Sequence, residues 1–373
     1  MMFVCRKLST AVLAGAIFVT AATQSQAATL HTAVGEVVDN LCRYLKSKGE
    51  KQIAVGQFVG PPQIAATSGP GIAKVFHEHF GRNNIDVVTR ANIGLKGEYS
   101  LAKVGSDGVG VKIKGSLVDP FGDVLTDFTF NADGNVEPGT IEKIVDEHED
   151  IVQMLGVTTE LHPEDAQEDR NRDLKQNILH PKLHITGTRC SASAKSPYQI
   201  EVVVQGRPAP VRLDNGLGFV NIDRGQIYSL RIYNNSDYDA AVKLSIDGLS
   251  VFTFSDLHEP DGTPKYRFYI IPKGRFIELK GWHKNNSVVN SFLVTKYADS
   301  AAASINHTQD VGTITAAFFA AWPKGGQRPH DEDFISKGDG NATGFGPPIK
   351  DVVKEAQHDV GALRASVSLR YSK

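Results

Sequence analysis

The chain is poor in residues that carry recognisable chemistry: three cysteines, three methionines and two tryptophans in 373 residues. Cys5 lies in the amino-terminal leader described below, so a mature chain retains Cys42 and Cys190 and can form at most one internal bridge. Cys42 lies on an apolar helical face and Cys190 in a Ser/Ala-rich stretch, a setting that favours two thiols over a pair. An excess of charge of either sign is also missing, with 40 basic against 42 acidic side chains. That balance gives no electrostatic case for nucleic acid or an anionic membrane surface as partner. Beyond the leader no run approaches the ~20 apolar residues of a membrane span. No internal repeat points to a propeller or solenoid, and without Gly-x-Ser-x-Gly there is no nucleophile elbow.

What is present begins with residues 1–27, which read as a secretory signal peptide. Arg6 and Lys7 precede an apolar stretch over 8–22, and Ser25-Gln26-Ala27 forms a small-x-small cleavage site before Ala28. Its removal takes two basic residues and no acid, moving the net charge from −2 to about −4. The mature protein is expected to be extracytoplasmic, periplasmic or secreted, with no membrane span.

Length places two domains on the chain. Over 30–48, Leu30, Val34, Val37, Val38, Leu41, Cys42 and Leu45 form one helical stripe closed by Gly49. A buried strand over 52–59, the breaker Gly60-Pro61-Pro62, a helix over 68–81 and strands over 85–89 and 95–103 follow. Residues 109–118 alternate and return through Asp119-Pro120-Phe121-Gly122-Asp123 to 124–130 as a hairpin. A helix is expected over 138–155. Residues 28–157 thus read as a compact α/β sandwich domain. Residues 158–197, charged and then small and polar, read as a linker carrying at most one short helix. From 198 to 373 the period becomes two: Val242, Leu244 and Ile246 oppose Lys243, Ser245 and Asp247. Strands are also expected over 200–204, 227–233, 266–271, 275–279, 291–297, 311–321 and 363–371, with a long Gly/Pro-rich loop over 323–348. This half reads as an antiparallel β-sandwich, and the chain as α+β.

The patterns that could carry catalysis fail their structural context. Ser68-Gly69-Pro70-Gly71 opens a helix but lacks a Walker lysine, and Pro70 removes a donor, so it reads as a structural turn. Gly105-x-x-Gly108-x-Gly110 precedes a strand, whereas a dinucleotide fingerprint follows one. Ser100-Leu101-Ala102-Lys103 matches Ser-x-x-Lys in an extended segment, without the accompanying Ser-Asp-Asn or Lys-Thr-Gly. His77 and His79 diverge on a helix. His180 and His184 share a ligand-like spacing only if helical, which Pro181 opposes; a site shared with Cys190 is a weak alternative. Asp331-Glu332-Asp333 with Asp339 misses the EF-hand spacing. No catalytic, cofactor or metal residues are assigned. The best ligand-binding candidates are Trp282, His283 and Asn285, where an aromatic and polar side chains end a strand as a glycan site requires; the alternative is that Trp282 completes the core.

One resemblance rests on Gln52-Ile53-Ala54-Val55-Gly56-Gln57-Phe58, Gly69-Pro70-Gly71-Ile72-Ala73, Val87-Val88-Thr89-Arg90 and the hairpin beginning at Gly110. Residues 30–156 resemble the α/β domain of curli-secretion lipoproteins and the TolB amino-terminal domain. The resemblance implies a noncatalytic envelope module used in docking or assembly. The chain lacks their lipobox, pore hairpins and propeller repeats. The expected function is an exported, noncatalytic binding or assembly module of the cell envelope, with an envelope protein or a glycan as partner. The alternatives are a secreted hydrolase with a site between the domains, or a carbohydrate-binding protein using the β-sandwich. Acids or histidines of shifted pKa converging in one cleft favour the enzyme, and an exposed apolar patch favours binding.

Overall fold

A computed structural model of the chain describes residues 29–105, 108–125, 140–145, 147–260, 262–295, 311–332, 342–344 and 354–372. The leader, the hairpin return over 126–130 and half of the 323–348 loop lie outside the described residues.

The amino-terminal half alternates helices and strands: α1 (Leu30–Ser47), β1 (Gln52–Val59), α2 (Gly69–Arg82), β2 (Asp86–Val87), β3 (Gly94–Val104), β4 (Gly108–Val118), β5 (Thr140–Val145) and α3 (His148–Leu155). The strands form sheet I in the order β2-β1-β3-β4-β5, with β1 parallel to β2 and β3. The apolar stripe read in the sequence builds α1. Thr29 caps it, its Oγ1 accepting from Thr32 N at 3.1 Å. Ala33, Val34 and Val37 of this stripe meet Phe76 of α2 over Leu95 and Ile113 of the sheet. The helix expected over 138–155 is corrected: β5 precedes α3. Val145 pairs with Val111 and Ile144 with Lys112, because the β-branched residues Ile141, Ile144 and Val145 suit an edge against β4 better than a helix.

Residues 158–197, expected as a linker, are built into the fold. They contain β6 (Thr159–Glu160), α4 (Gln167–Leu179), β7 (His184–Thr186) and β8 (Arg189–Ser191). Three apolar residues, Leu161, Leu174 and Ile178, anchor this charged stretch in the first core, and β6 pairs with the last strand of the chain.

The remaining strands are β9 (Tyr198–Val204), β10 (Arg207–Pro208), β11 (Val211–Asp214), β12 (Leu217–Asn221), β13 (Ile227–Asn234), β14 (Asp239–Ile246), β15 (Leu249–Ser250), β16 (Tyr269–Ile271), β17 (Arg275–Leu279), β18 (Gly281–Asn285), β19 (Val288–Leu293), β20 (Val311–Pro323), β21 (Ala342–Gly344), β22 (Lys354–Ala356) and β23 (His358–Ser372). Sheet II runs β18-β19-β13-β9-β8-β7, with β10 and β17 attached, and sheet III runs β11-β12-β23-β20-β14-β16-β21-β22, with β6 and β15 attached. Two pairs of sheet III, β12 with β23 and β16 with β21, are parallel, so this half is not purely antiparallel. The strand expected over 291–297 lies earlier, as β19.

Sheets II and III enclose a second core in which Ile200, Val202, Leu230 and Ile232 meet Val242, Leu244, Ile246, Phe318 and Leu369. The opposite face of sheet III is largely covered. Ala241, Ala317, Phe319 and Leu363 join the core of the amino-terminal half, and Ser245, Asp247, Thr313, Thr315, Arg364, Ser366, Ser368 and Arg370 are buried there. Sheet III is therefore shared by both halves, which meet through a continuous packed and hydrogen-bonded seam.

A charged cleft between the two halves

Polar groups dominate the centre of the seam, and most are matched. Thr67 Oγ1 donates to Asp247 Oδ1 at 3.0 Å, Thr313 N donates to the same oxygen at 2.9 Å, and the Tyr371 hydroxyl meets Asp247 Oδ2 at 3.1 Å. The Ser68 amide donates to the Tyr99 hydroxyl at 2.8 Å, and Ser68 Oγ donates to the Gln153 carbonyl at 2.8 Å. Ser245 Oγ donates to Gln153 Oε1. These bonds satisfy groups whose burial unpaired would be costly. They depend on a very close approach of two backbones: a Cβ at Gly71 would lie 2.2 Å from the Gly248 carbonyl oxygen.

At one end the seam opens into a cleft of about 550 Å³, within the range of small-molecule sites. Its helical wall comes from the start of α1, one face of α2, and α3 with the residue before it, and carries Glu78, Glu147, Glu149 and Asp150. The wall from sheet III and the segment after β15 carries Lys243 and Arg267, with hydroxyls of Ser250, Thr253 and Thr263. Lys74 and Arg82 of α2 also line the cleft, and Lys74 pairs with Glu78 at 3.7 Å, one turn on. The helical side thus mixes carboxylates with the cations Lys74 and Arg82, while the sheet side carries Lys243, Arg267 and hydroxyls without an acid.

One ion pair crosses the cleft. Lys243 Nζ is 2.5 Å and Arg267 Nη2 4.0 Å from Glu149 Oε1. Desolvation works against the Glu149 carboxylate, but Lys243 and Arg267 outweigh it and hold its pKa below the ordinary value. Its neighbour Asp150 accepts from Leu30 N at 2.7 Å, yet burial, joined by the charge of Glu149, raises its pKa. Two adjacent carboxyl groups are thereby pushed in opposite directions. His31 stands at the exposed rim of this corner, its pKa lowered by desolvation and then by the charge of Lys243. Its ring centroid is 5.7 Å from that of His79.

Of the cleft lining, the sequence singled out Ser68 and Gly71, within the turn that opens α2, but none of these charged residues. Lys243 and Ser245 read there as the solvent face of an alternating strand, and Glu149 and Asp150 as charges on an amphipathic helix. The three ligand-site candidates lie elsewhere and are only partly accessible. His283 is fully buried, with Nδ1 3.1 Å from Ser255 Oγ, and cannot contact a ligand. Trp282 is half-buried in edge-on contact with Phe254 and Phe292, so its ring is spent on packing. Asn285 uses Oδ1 to accept from Ser287 N, closing the hairpin turn.

The other motifs resolve as structure. Ser100 and Lys103 sit exposed in β3, three residues apart on opposite faces of a strand. Ser68-Gly69-Pro70-Gly71 starts α2, the glycines admitting the Phe58 and Gly248 carbonyls. His77 and His79 lie on α2, each with its pKa lowered by burial. His180 ends α4 and His184 lies in β7, so they share no helical face. Asp331 and Glu332 clasp Arg364, leaving the acidic run committed to an ion pair; Asp333 and Asp339 lie outside the described residues. Cys42 and Cys190 are buried free thiols in separate cores. Among the described residues no group of three or more His, Cys, Asp or Glu side chains is placed to hold a metal, and no helix is long and apolar enough to cross a membrane. No family model, curated protein or solved structure matches the chain.

Proposed function

We propose that the chain is an exported, noncatalytic binding protein of the cell envelope whose ligand is a small zwitterion held in the cleft between its halves. The unequal lining carries this reading, because every carboxylate of the cleft stands on its helical side. An ammonium group suits Glu147 and Asp150, and a carboxylate or phosphate suits Lys243, Arg267 and the hydroxyls beside them. Asp150 is the sharpest element, because a bound cation would favour the charged form that burial opposes. The leader over 1–27, the β-sandwich reading of the second half and the resemblance of residues 30–156 to curli-secretion and TolB modules support the envelope setting. Intact mass of protein from its native host is expected to begin at Ala28.

The test is a thermal-shift series on the whole chain with free amino acids and dipeptides, set against neutral sugars at matched ionic strength. Zwitterions should raise Tm, and Lys243→Ala combined with Arg267→Ala should abolish the shift. No response to any zwitterion, or one indifferent to these substitutions, overturns the proposal. A second reading, a hydrolase acting between the halves, is favoured by the opposite pKa shifts of Glu149 and Asp150, the pattern of an acid and base pair. It requires a turnover that Asp150→Asn and Glu149→Gln each abolish with the fold retained.

A further inference from the structure

Arg370 of β23 is the largest of the fully buried side chains, 1% exposed. Its Nη2 donates to the carbonyls of Ile64 at 2.8 Å and Leu155 at 3.3 Å, and its Nη1 to Ser368 Oγ at 3.3 Å. These acceptors are neutral. Nε has no partner, and among the described residues no carboxylate pairs with the guanidinium. The nearest compensation is the carboxyl end of α3 at Leu155, worth about half a charge. Burial pulls the pKa down to about 10, which leaves the group cationic at neutral pH. An arginine carried this deep into a fold is ordinarily matched by an anion.

Beside it lies a small pocket, bounded by Arg370, Ser368, Thr158, Asn177, Ile178 and Leu217 among others, with room of about 10 Å³. That is the scale of a single water-sized particle. Its hydroxyls are committed: Thr158 Oγ1 accepts from Ser368 N at 2.9 Å and donates to Ser368 O at 3.5 Å, and Ser368 Oγ donates to Ile314 O at 3.2 Å. A donor left over is Arg370 Nε. Asn177 spends one amide hydrogen on Thr159 Oγ1 at 2.9 Å and keeps a second. Gly156, with φ of +61°, has no side chain to fill the approach, and a Cβ there would sit 3.0 Å from Arg370 Nη2. We propose that this pocket is a monovalent anion site, in which one halide ion such as chloride supplies the counter-charge of Arg370. The site is remote in chemistry from the cleft and independent of the zwitterion reading.

The experiment exchanges chloride for gluconate at constant ionic strength and follows unfolding of the whole chain. Tm should rise with chloride along a saturating curve; at ten times Kd the folded-to-unfolded ratio increases about elevenfold. Arg370→Met should lose the chloride response. Because that variant removes three hydrogen bonds and risks not folding, anomalous scattering from bromide in crystals of the unaltered protein provides the second readout. A bromide peak within hydrogen-bond distance of the Arg370 guanidinium is expected. Equal stability in chloride and gluconate, or crystals in which water alone occupies the pocket at high bromide, overturns the proposal.

Discussion

The two glycines at opposite ends of α2 should respond to alanine with opposite signs. Helix propensity alone favours alanine by about 1 kcal/mol at either position. Gly81 has open space around the place a Cβ would occupy, so Gly81→Ala should stabilise by about 0.5–1 kcal/mol. Gly71 faces the β14–β15 turn, where the new Cβ would lie 2.2 Å from the Gly248 oxygen and 2.6 Å from its carbonyl carbon. That is roughly 1 Å short of ordinary contact. Both offending atoms are backbone, so no rotamer change relieves the clash. The helix must back away from sheet III, stretching the contacts of Ser68 and Gln153 at the seam. Overpacking of this kind costs about 1–3 kcal/mol, and Gly71→Ala should be destabilising by about that much net of its small helical gain. Urea denaturation with matched m-values reads both variants. The glycine also lines the cleft, so Gly71→Ala should weaken binding there while Gly81→Ala leaves it intact. If Gly71→Ala were neutral or stabilising, the close docking of α2 on the Gly248 turn would be wrong, and with it the cleft.

Arg364 is held by Asp331 and Glu332, and Glu332 is itself 1% exposed. Arg364→Leu strands a buried carboxylate and should cost about 3–5 kcal/mol, with part recovered by adding Glu332→Gln in a double-mutant cycle. Hydrogen bonding to Arg364 lowers the pKa of Asp331. Its contribution is present above the unfolded value of about 3.9 and is lost as pH falls through the lower folded value. Arg364→Leu should therefore flatten that acid limb in a stability–pH series, and an unchanged limb would remove Asp331 as its source. Limited trypsin digestion of the folded chain should spare residues 167–191 despite Arg170, Arg172, Lys175 and Arg189, since Leu174 and Ile178 anchor α4 in the core. Early cutting in that stretch would restore it to a linker between separately folding units.

Much of the fold was legible where one periodicity acts alone. The stripe that gives α1, the run that gives β1, the alternation of β4 and the inward row Val242, Leu244 and Ile246 all appear as read. The readings fail where a second layer changes the meaning of a pattern. Residues 138–155 show apolar residues at helical spacing, yet a β-branched cluster beside an open strand edge diverts the first part into β5. Residues 158–197 look too charged to pack, but a helix needs few apolar side chains on one face to dock, and Leu174 and Ile178 provide them.

The cleft escaped detection for the same reason that it forms. Its floor residues Lys243 and Ser245 belong to the polar row of β14, and the equivalent rows of β20 and β23 carry Thr313, Thr315, Ser366, Ser368 and Arg370. In an isolated two-sheet unit that row would face water, and its side chains would need no specific partners. Covered by the amino-terminal half, they find partners there: Thr67 for Asp247 and Thr313, Gln153 for Ser245, Glu149 for Lys243, and the Val157, Ile64 and Leu155 carbonyls for Ser366 and Arg370. Where the two surfaces separate, the same hydrogen-bonding groups remain partly open to a ligand instead of to each other. Sequence alternation identifies the row but cannot say whether water or protein covers it, so residues at the heart of the candidate site carry the same local signature as an ordinary solvated strand face.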